Sequence, residues 1–429
     1  MHLLKKNLFV RMLYHMYKLS SSRHYRQTHS IISFSSQFHY LFSPYLIFPL
    51  YPLLYLIKLY LVKKRLLISV NNITTAVGHI YPEIDWIYRL YKVNRICLQS
   101  KVLYVYPKSE ILLGIKNILS GSNVKVICSS SLHFFLYLTA LAFPVLSVNT
   151  SHSNMNHGRL NWFSKSRDLS FRETFEKRQL EYAKIRAQTR NFWPLLRENI
   201  HNAFCLNLPA KYIVLQIKTS AINGTLEPTN PETLIPLLKN LQKRQYTLIF
   251  GGREKMPDCL IELGVINYAN SADATPHNDY YLIRNASFVI CSASGFSYIP
   301  DVLGVPTLQI NAYGITSITG QNSLILPALL NIENKPISYS MQLEQFYRFG
   351  QLLPGRKIPE DWTVISANAD DIVESFKELE KIIDMGDNYI PSVLQKKFKE
   401  IFKGQVPGEA ICNYSNYFLK KNIERLSCE

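Results

Sequence analysis

An apolar run that ends in small and hydroxyl residues offers one place for anion binding. Residues 288–291 (FVIC) read as a buried strand. Five residues form the turn that follows it: Ser292, Ala293, Ser294, Gly295 and Phe296. Small side chains let the backbone approach an anion closely, and the first amides of a following helix point toward it. The pattern suits a diphosphate, and an ordinary turn with a serine as helix cap is the alternative.

Two further apolar runs end in cations or glycines. Three residues follow the run 246–250: Gly251, Gly252 and Arg253. The glycines leave space for a ligand, and Arg253 could pair with a phosphate. Lys218 follows the run 212–217 and could neutralise a diphosphate. A solvated surface cation is the alternative for both Lys218 and Arg253.

A few residues could move a proton or hold a loop. His79 follows Gly78, a few residues after the apolar run 66–70. It is a candidate general base for an acceptor hydroxyl, and a structural histidine is the alternative. Glu83 and Asp85 are the other candidates for this role. Asp279 begins the segment DYYLIRNA, where its carboxylate either caps a helix, the interpretation we favour, or holds the loop. No Asp-x-Asp pattern lies in a loop after a strand, so we expect no metal ion and no cofactor.

Short apolar runs alternate with helical patterns from residue 66 onward. Predicted strands lie at 66–70, 102–106, 124–128, 144–148, 212–217, 246–250, 265–269, 288–292 and 307–311. Helical patterns include 83–93, 108–119, 172–190, 232–244 and 370–383. Strand and helix in alternation predict parallel sheets with helices on both faces. The charged stretch 172–190 interrupts the series, which then restarts. We therefore predict an α/β fold of two Rossmann-like domains that face each other across a cleft.

This interpretation divides the chain into four parts. A basic, apolar extension covers 1–65, and a first Rossmann-like domain with crossover helices covers 66–205. A second Rossmann-like domain covers 206–400, and a tail that returns toward the first domain covers 401–429. Because ligands bind outside the carboxyl ends of parallel strands, the loops named above are the predicted site.

The N-terminal extension carries positive charges only. Residues 1–65 hold ten Lys or Arg and no Asp or Glu, and the apolar run Leu41–Val62 contains three prolines. A basic segment beside an apolar run predicts peripheral contact with an anionic membrane surface at the cytoplasmic face. A core helix and a true membrane span are the alternatives. We expect no nucleic-acid partner, because the chain has no zinc-finger or RNA-binding signature.

The region 212–327 resembles a family of bacterial glycosyltransferases from surface-polysaccharide gene clusters. The matching segments are YIVLQIKTS, YTLIFGG, VINYANS and the long stretch from DYYLIRNAS to TLQIN, together with the Gly78-His79 pair and NYSNYFL at 413–419. The resemblance implies a GT-B fold and a nucleotide-sugar donor. It places Asp279, Ser294, Gly295 and Asn311 at the donor site and His79 on the acceptor side. Lys218 departs from the family pattern, which usually has Arg there.

Three classes of function follow from these observations. The first is sugar transfer from a nucleotide-sugar to a polysaccharide or lipid-linked glycan acceptor in surface-glycan biosynthesis. The second is a nucleotide-sugar epimerase on the same scaffold, which needs no acceptor and no membrane segment. The third is a non-catalytic protein that binds a glycan or an anion without turnover.

Overall fold

Two parallel sheets organise the chain, as the sequence predicts. The computed structural model describes residues 31–70, 77–106, 115–148, 171–196, 208–219, 229–312, 320–349 and 359–426. The α/β class is confirmed, and eight of the nine predicted strands form at or within about two residues of their predicted limits. The division into four parts stays a prediction.

The first sheet lies in the N-terminal half and has three parallel strands. Their bounds are β1 Leu66–Val70, β2 Lys101–Tyr106 and β3 Val124–Cys128, in the order β1-β2-β3. The predicted strand 144–148 is wrong, because Pro144–Leu146 forms a 3-10 turn. Proline has no backbone N–H for a ladder. Only Ser147 bridges to Ile68 in this segment.

The second sheet has seven strands, and every neighbouring pair is parallel. Its order is β13-β9-β8-β7-β4-β5-β6. The bounds are β4 Tyr212–Gln216, β5 Thr247–Phe250, β6 Ile266–Asn267, β7 Phe288–Ser292, β8 Thr307–Ala312, β9 Ser323–Pro327 and β13 Asn413–Tyr414. Strands β4 and β7 are buried along their whole length. This explains their continuous apolar sequences, because helices cover both faces of a parallel sheet.

A small antiparallel sheet is added to this second half. It consists of β10 Leu329–Ile332, β11 Lys335–Pro336 and β12 Trp362–Ile365.

Helices cover the sheets in the described parts of the chain. In chain order they are α1 Ile31–Lys63, α2 Val77–Lys92, α3 Lys116–Leu119, α4 Ser130–Ala142, α5 Phe171–Gln188, α6 Ile235–Lys243, α7 Asp258–Glu262, α8 Pro276–Arg284, α9 Tyr298–Leu303, α10 Tyr339–Phe349, α11 Ala369–Met385, α12 Val393–Ile401, α13 Val406–Glu409 and α14 Asn416–Lys421. The predicted helix at 172–190 corresponds to α5, and the one at 370–383 corresponds to α11. Most of the predicted helix 108–119 lies outside the described residues.

Helix α2 of the first half packs directly on the second half. It contacts α9 and the 3-10 turn Gly295–Ser297 that precedes α9. Ile80, Ile84 and Ile87 of α2 belong to the same buried cluster as Ile299 and Val302 of α9. Apolar packing therefore holds the helix that follows β1 against the turn that follows β7.

The crossover helix α5 is fixed to both halves by buried polar contacts. Tyr182 donates a hydrogen bond to Asp85 of α2 at 2.7 Å. Arg186 forms an ion pair with Asp301 of α9, and both side chains are buried. Helix α5 therefore links the two halves through side chains as well as through the chain itself.

The C-terminal tail joins the second sheet. Asn413–Tyr414 pairs in parallel with β9, at the edge of the sheet. Helix α13 packs on the crossover helix α5.

Helix α1 runs through all three prolines of the apolar segment and packs on the first half. Leu54 and Leu61 are buried in a cluster with Leu136 and Leu138 of α4. One side of α1 therefore packs as the alternative of a core helix predicts. Among the described residues, no helix is both long enough and apolar enough to cross a membrane.

Candidate functional site

The carboxyl ends of four adjacent strands meet at one edge of the second sheet. These strands are β8, β7, β4 and β5, in that order. The sheet therefore brings together the residues that follow these strands, which the sequence separates by up to about a hundred positions. It places Lys218, Gly251, Ser292 and Asn311 at the same edge, where parallel α/β sheets bind ligands.

The turn after β7 is held by a chain of hydrogen bonds centred on Ser294. The Ser294 hydroxyl accepts a hydrogen bond from the Phe296 amide at 3.2 Å and so caps the 3-10 turn. It donates to Oε1 of Gln216 at 3.0 Å. Ser297 donates to the Ser294 carbonyl at 2.7 Å and accepts from Gln309 at 3.0 Å. Ser294 is therefore both a cap and a link to β4, and Gly295 is exposed beside it.

Ser292 and Asn311 brace the neighbouring loops. The buried Ser292 hydroxyl accepts from the Lys218 amide at 3.2 Å and lies 3.0 Å from the Thr229 hydroxyl. Asn311 donates to Thr229 at 3.2 Å and accepts from the Ala367 amide at 2.8 Å. Asn311 also has a left-handed backbone, with φ of 54°. The side chains of Ser292 and Asn311 therefore have hydrogen-bond partners within the protein. Direct contact of either side chain with a nucleotide-sugar stays a prediction.

The glycines after β5 are required by close packing. A Cβ atom on Gly251 would lie 3.1 Å from Val214 and 3.6 Å from the ring of Phe296. Gly252 has φ of 95°, and a Cβ there would lie 2.9 Å from Cγ of Gln216. The backbone after β5 therefore lies close to both Gln216 and the Ser294 turn, so a side chain at either glycine would require a neighbour to move.

Cations flank this region. Lys218 is half-buried, and burial lowers its pKa while the negative charge of Glu254 raises it. Arg253 is exposed, and its charge acts on the carboxylate of Asp279. A positive side chain thus follows each of β4 and β5 at the edge that holds the predicted site.

Asp279 does not cap its helix, contrary to the favoured sequence interpretation. Thr275 is the N-cap of α8, and its side chain accepts from the Asn278 amide. Asp279 lies one turn later and accepts a hydrogen bond from the Tyr268 hydroxyl at 3.1 Å. Burial raises the pKa of Asp279 to about 6, although the Tyr268 hydrogen bond and Arg253 act to lower it. The carboxylate also contributes to the raised pKa of Tyr81 on α2, whose main cause is burial.

This carboxyl group gives a testable pH dependence of stability. The pKa of about 6 exceeds the value of about 3.9 for an unfolded aspartate, so the folded state binds more protons between these values. The contribution of Asp279 to stability is therefore full below pH 4 and is lost as the pH rises through 6. We expect the free energy of unfolding of wild type, relative to Asp279→Asn, to fall between pH 4 and 6 and to be level above it. Urea titrations at each pH measure this difference, and a difference that rises with pH would contradict the assignment.

The predicted acceptor-side residues lie on α2. His79 is in the first turn of α2, and its side chain lies outside the described residues. Glu83 is buried and accepts a hydrogen bond from Tyr104. Asp85 is buried and paired with Arg89 at 2.6 Å. Both carboxylates have hydrogen-bond partners within the protein, and His79 lies nearer to the start of α2 than either of them.

Three residues of this region were not predicted from the sequence. They are Gln216, Thr229 and Tyr268, all buried and all hydrogen-bonded to predicted residues. Gln216 had a usable signal, since it is a polar residue at the end of an otherwise apolar strand. Within the described ranges, no three His, Cys, Asp or Glu side chains form a group that could hold a metal ion.

Comparison with solved structures gives remote similarities. A glycosyltransferase family 9 protein from Veillonella parvula has 11% identity, covers 73% of this chain and 96% of its own, and has a TM-score of 0.41. The Escherichia coli heptosyltransferase WaaC with ADP-2-deoxy-2-fluoro heptose has 14% identity, covers 66% and 99%, and has a TM-score of 0.33. The E. coli ADP-heptose lps heptosyltransferase II has 11% identity, covers 67% and 98%, and has a TM-score of 0.37.

Comparison with protein families and curated proteins gives no match. With TM-scores of 0.41 or lower, the structural similarities assign no activity to this chain.

Proposed function

We propose that this protein is a glycosyltransferase that takes a sugar from a nucleotide-sugar and passes it to a polysaccharide or lipid-linked glycan in surface-glycan biosynthesis. The observation that carries the proposal is the packing of α2, whose first turn contains Gly78 and His79, on the turn Gly295–Ser297. This contact brings the predicted acceptor side and the predicted donor side of the molecule together. A protein that only bound an anion would not need that juxtaposition.

The proposed mechanism needs one base and several donors. His79 would accept the proton of the acceptor hydroxyl as the acceptor oxygen bonds to the anomeric carbon of the sugar and the bond from that carbon to the diphosphate breaks. Negative charge then grows on the leaving diphosphate, where backbone amides of the turn at Ser294, Lys218 and Arg253 would stabilise it. Asp279 would bind hydroxyl groups of the donor. In this proposal no metal ion and no cofactor takes part.

The test measures product formation from nucleotide-sugars. The purified chain is incubated with each of several nucleotide-sugars, with and without membrane lipid extract as the acceptor, and the released nucleoside diphosphate and labelled glycan are quantified. We expect acceptor-dependent release with one nucleotide family and loss of it in Ser294→Trp, which fills the turn. Conversion of the nucleotide-sugar to an isomer without an acceptor would instead indicate an epimerase. Nucleotide binding with no product of either kind would indicate a binding protein.

We further propose that the protein acts at the inner face of the cell membrane through the outer side of α1. One stripe of this helix packs on the first half, as described for Leu54 and Leu61. The remaining surface carries large exposed apolar side chains: Phe48, Tyr51, Leu53, Tyr55, Leu56, Leu59, Tyr60 and Val62. Phe48 is 88% exposed and Leu56 is 62% exposed. A helix that is apolar all round is normally covered on every side, so this surface needs a partner.

The charge beside this surface favours an anionic bilayer as that partner. Exposed Lys63, Lys64 and Arg65 follow the apolar surface directly, and residues 1–65 contain no acid. Lys58 lies over the rings of Tyr55 and Phe143, 5.1 and 4.9 Å from their centroids, so its charge contacts aromatic faces. Tyrosines and flanking lysines are typical of a helix that lies in the membrane interface.

Vesicle binding tests the role of α1. We expect the wild type to cosediment with vesicles that contain phosphatidylglycerol, and to do so less with pure phosphatidylcholine or high salt. The double variant Leu56→Asp, Leu59→Asp should weaken vesicle binding by at least about tenfold, because two leucines that would be buried in the bilayer are lost. Ile390→Asp is the control, since Ile390 is 74% exposed and lies far along the chain. Equal binding by the double variant would contradict the proposal, and a dimer lost in that variant would indicate a second copy as the partner.

A further inference from the structure

The side chain of Gln216 is an unusual buried amide at the predicted donor site. It ends β4 and is only 3% exposed. Buried polar groups are nearly always hydrogen-bonded. Its carboxamide oxygen is bonded to Ser294, but its nitrogen Nε2 has no hydrogen-bond partner in the described part of the chain. Nε2 is not enclosed by protein atoms on every side, so it is accessible to a small ligand.

The carboxamide of Gln216 points its oxygen toward Ser294. The Ser294 hydroxyl accepts from the Phe296 amide, and its own hydrogen goes to Oε1 of Gln216. The oxygen of the carboxamide therefore faces Ser294, and both N–H groups face away from it. Gly252 lies against the stem of the same side chain, where any Cβ would crowd Cγ of Gln216.

This arrangement suits a ligand group that accepts hydrogen bonds. Because its oxygen already accepts from Ser294, the groups of Gln216 that lack a partner are the two N–H donors of Nε2. A sugar hydroxyl is both donor and acceptor, whereas a phosphoryl oxygen only accepts. The ammonium group of Lys218, two residues further on, adds positive charge at the same strand end.

We propose that Nε2 of Gln216 donates hydrogen bonds to the diphosphate of the nucleotide-sugar. This inference rests on the proposed function. Gln216 then acts as a neutral donor to the leaving group, and Ser294 acts through it as a positioning residue. The Ser294 turn thus contributes a second, indirect contact to the diphosphate in addition to its backbone amides.

The test compares Gln216→Glu with wild type in calorimetric binding of a panel of nucleoside diphosphates and of the corresponding nucleosides. The glutamate has the same shape and still accepts from Ser294, but it has no N–H groups and adds a negative charge. We expect its affinity for the preferred nucleoside diphosphate to fall by at least about tenfold, with an unchanged affinity for the nucleoside. Ser294→Ala removes the hydroxyl that holds the Gln216 amide, and it should give a smaller loss of affinity for the nucleoside diphosphate. Gln242→Glu is the matched control, because Gln242 bonds a backbone carbonyl elsewhere.

The outcomes separate this inference from the proposed function. If wild type binds no nucleoside diphosphate, the proposed function is overturned. If wild type binds one and Gln216→Glu binds it equally well, the role of Gln216 alone is overturned. An equal loss of nucleoside and diphosphate affinity in the variant would also overturn it, because that result would reflect a disturbed fold. The unfolding transition of each variant is recorded to identify such a disturbance.

Discussion

Replacement of Arg186 by Met is expected to lower the free energy of unfolding by about 3–5 kcal/mol, because the change leaves the buried charge of Asp301 without its partner. Both side chains of this pair are almost fully buried. Arg186 also donates to the Asp301 carbonyl at 2.8 Å. The pair joins the crossover helix α5 to α9, the helix that follows the Ser294 turn. We therefore expect nucleotide binding to weaken together with stability.

A double variant separates the lost pair from other effects. Asp301→Asn removes the unpaired charge but keeps an acceptor for the Gly320 amide, which donates to Asp301 at 2.6 Å. Combined with Arg186→Met, it should restore at least about half of the lost stability. Arg244→Met is the control, since the Arg244–Glu380 pair is partly exposed and worth at most about 1 kcal/mol. Urea denaturation measures all four proteins. A loss for Arg186→Met no larger than that for Arg244→Met would contradict the role of the pair.

Replacement of Gly252 by Ala is expected to weaken nucleoside diphosphate binding by at least about tenfold. The new Cβ would lie 2.9 Å from Cγ of Gln216, so the Gln216 side chain must move. That movement would break its hydrogen bond with Ser294 and displace Nε2 from the site. Because Gly252 has φ of 95°, alanine there also strains the backbone and costs about 1–2 kcal/mol of stability.

Gly264→Ala is the matched control for this strain. Gly264 also has a positive φ, of 78°, but a Cβ there meets nothing within 4 Å. We expect the two variants to lose similar stability, whereas only Gly252→Ala loses nucleotide affinity. Thermal unfolding and calorimetry measure the two quantities. Equal affinities for the two variants would show that the contact between Gly252 and Gln216 does not matter for binding.

The sequence alone was sufficient to predict the fold class and most strands of the two main sheets. Strands such as β4 and β7 are buried on both faces, so they must be apolar at every position, and this leaves an unambiguous local pattern. The small and polar residues that end these strands can be recognised in the sequence just as readily. Strands β10, β11 and β12 were not predicted, because their sheet lies partly at the surface and β11 has only two residues.

The helix ends show where local patterns became ambiguous. Asp279 and Thr275 are both suitable N-cap residues, and four positions separate them. The actual start of α8 at Pro276 leaves Thr275 as the cap and directs Asp279 toward Tyr268. Similarly, the apolar residues 144–148 fit a strand by composition, but Pro144 begins a 3-10 turn instead.

Only the tertiary structure decided which strand ends share a site. The order β8-β7-β4-β5 places Gln216 beside Ser294, and Ser292 beside Thr229, across 78 and 63 positions of sequence. Sheet order is set by the packing of helices on both faces and by crossover connections, which leave no periodic signal near the strands themselves. The sequence thus determined which residues end the strands of the predicted site. The three-dimensional fold determined their partners, because hydrogen bonds between distant loops depend on the assembled sheet.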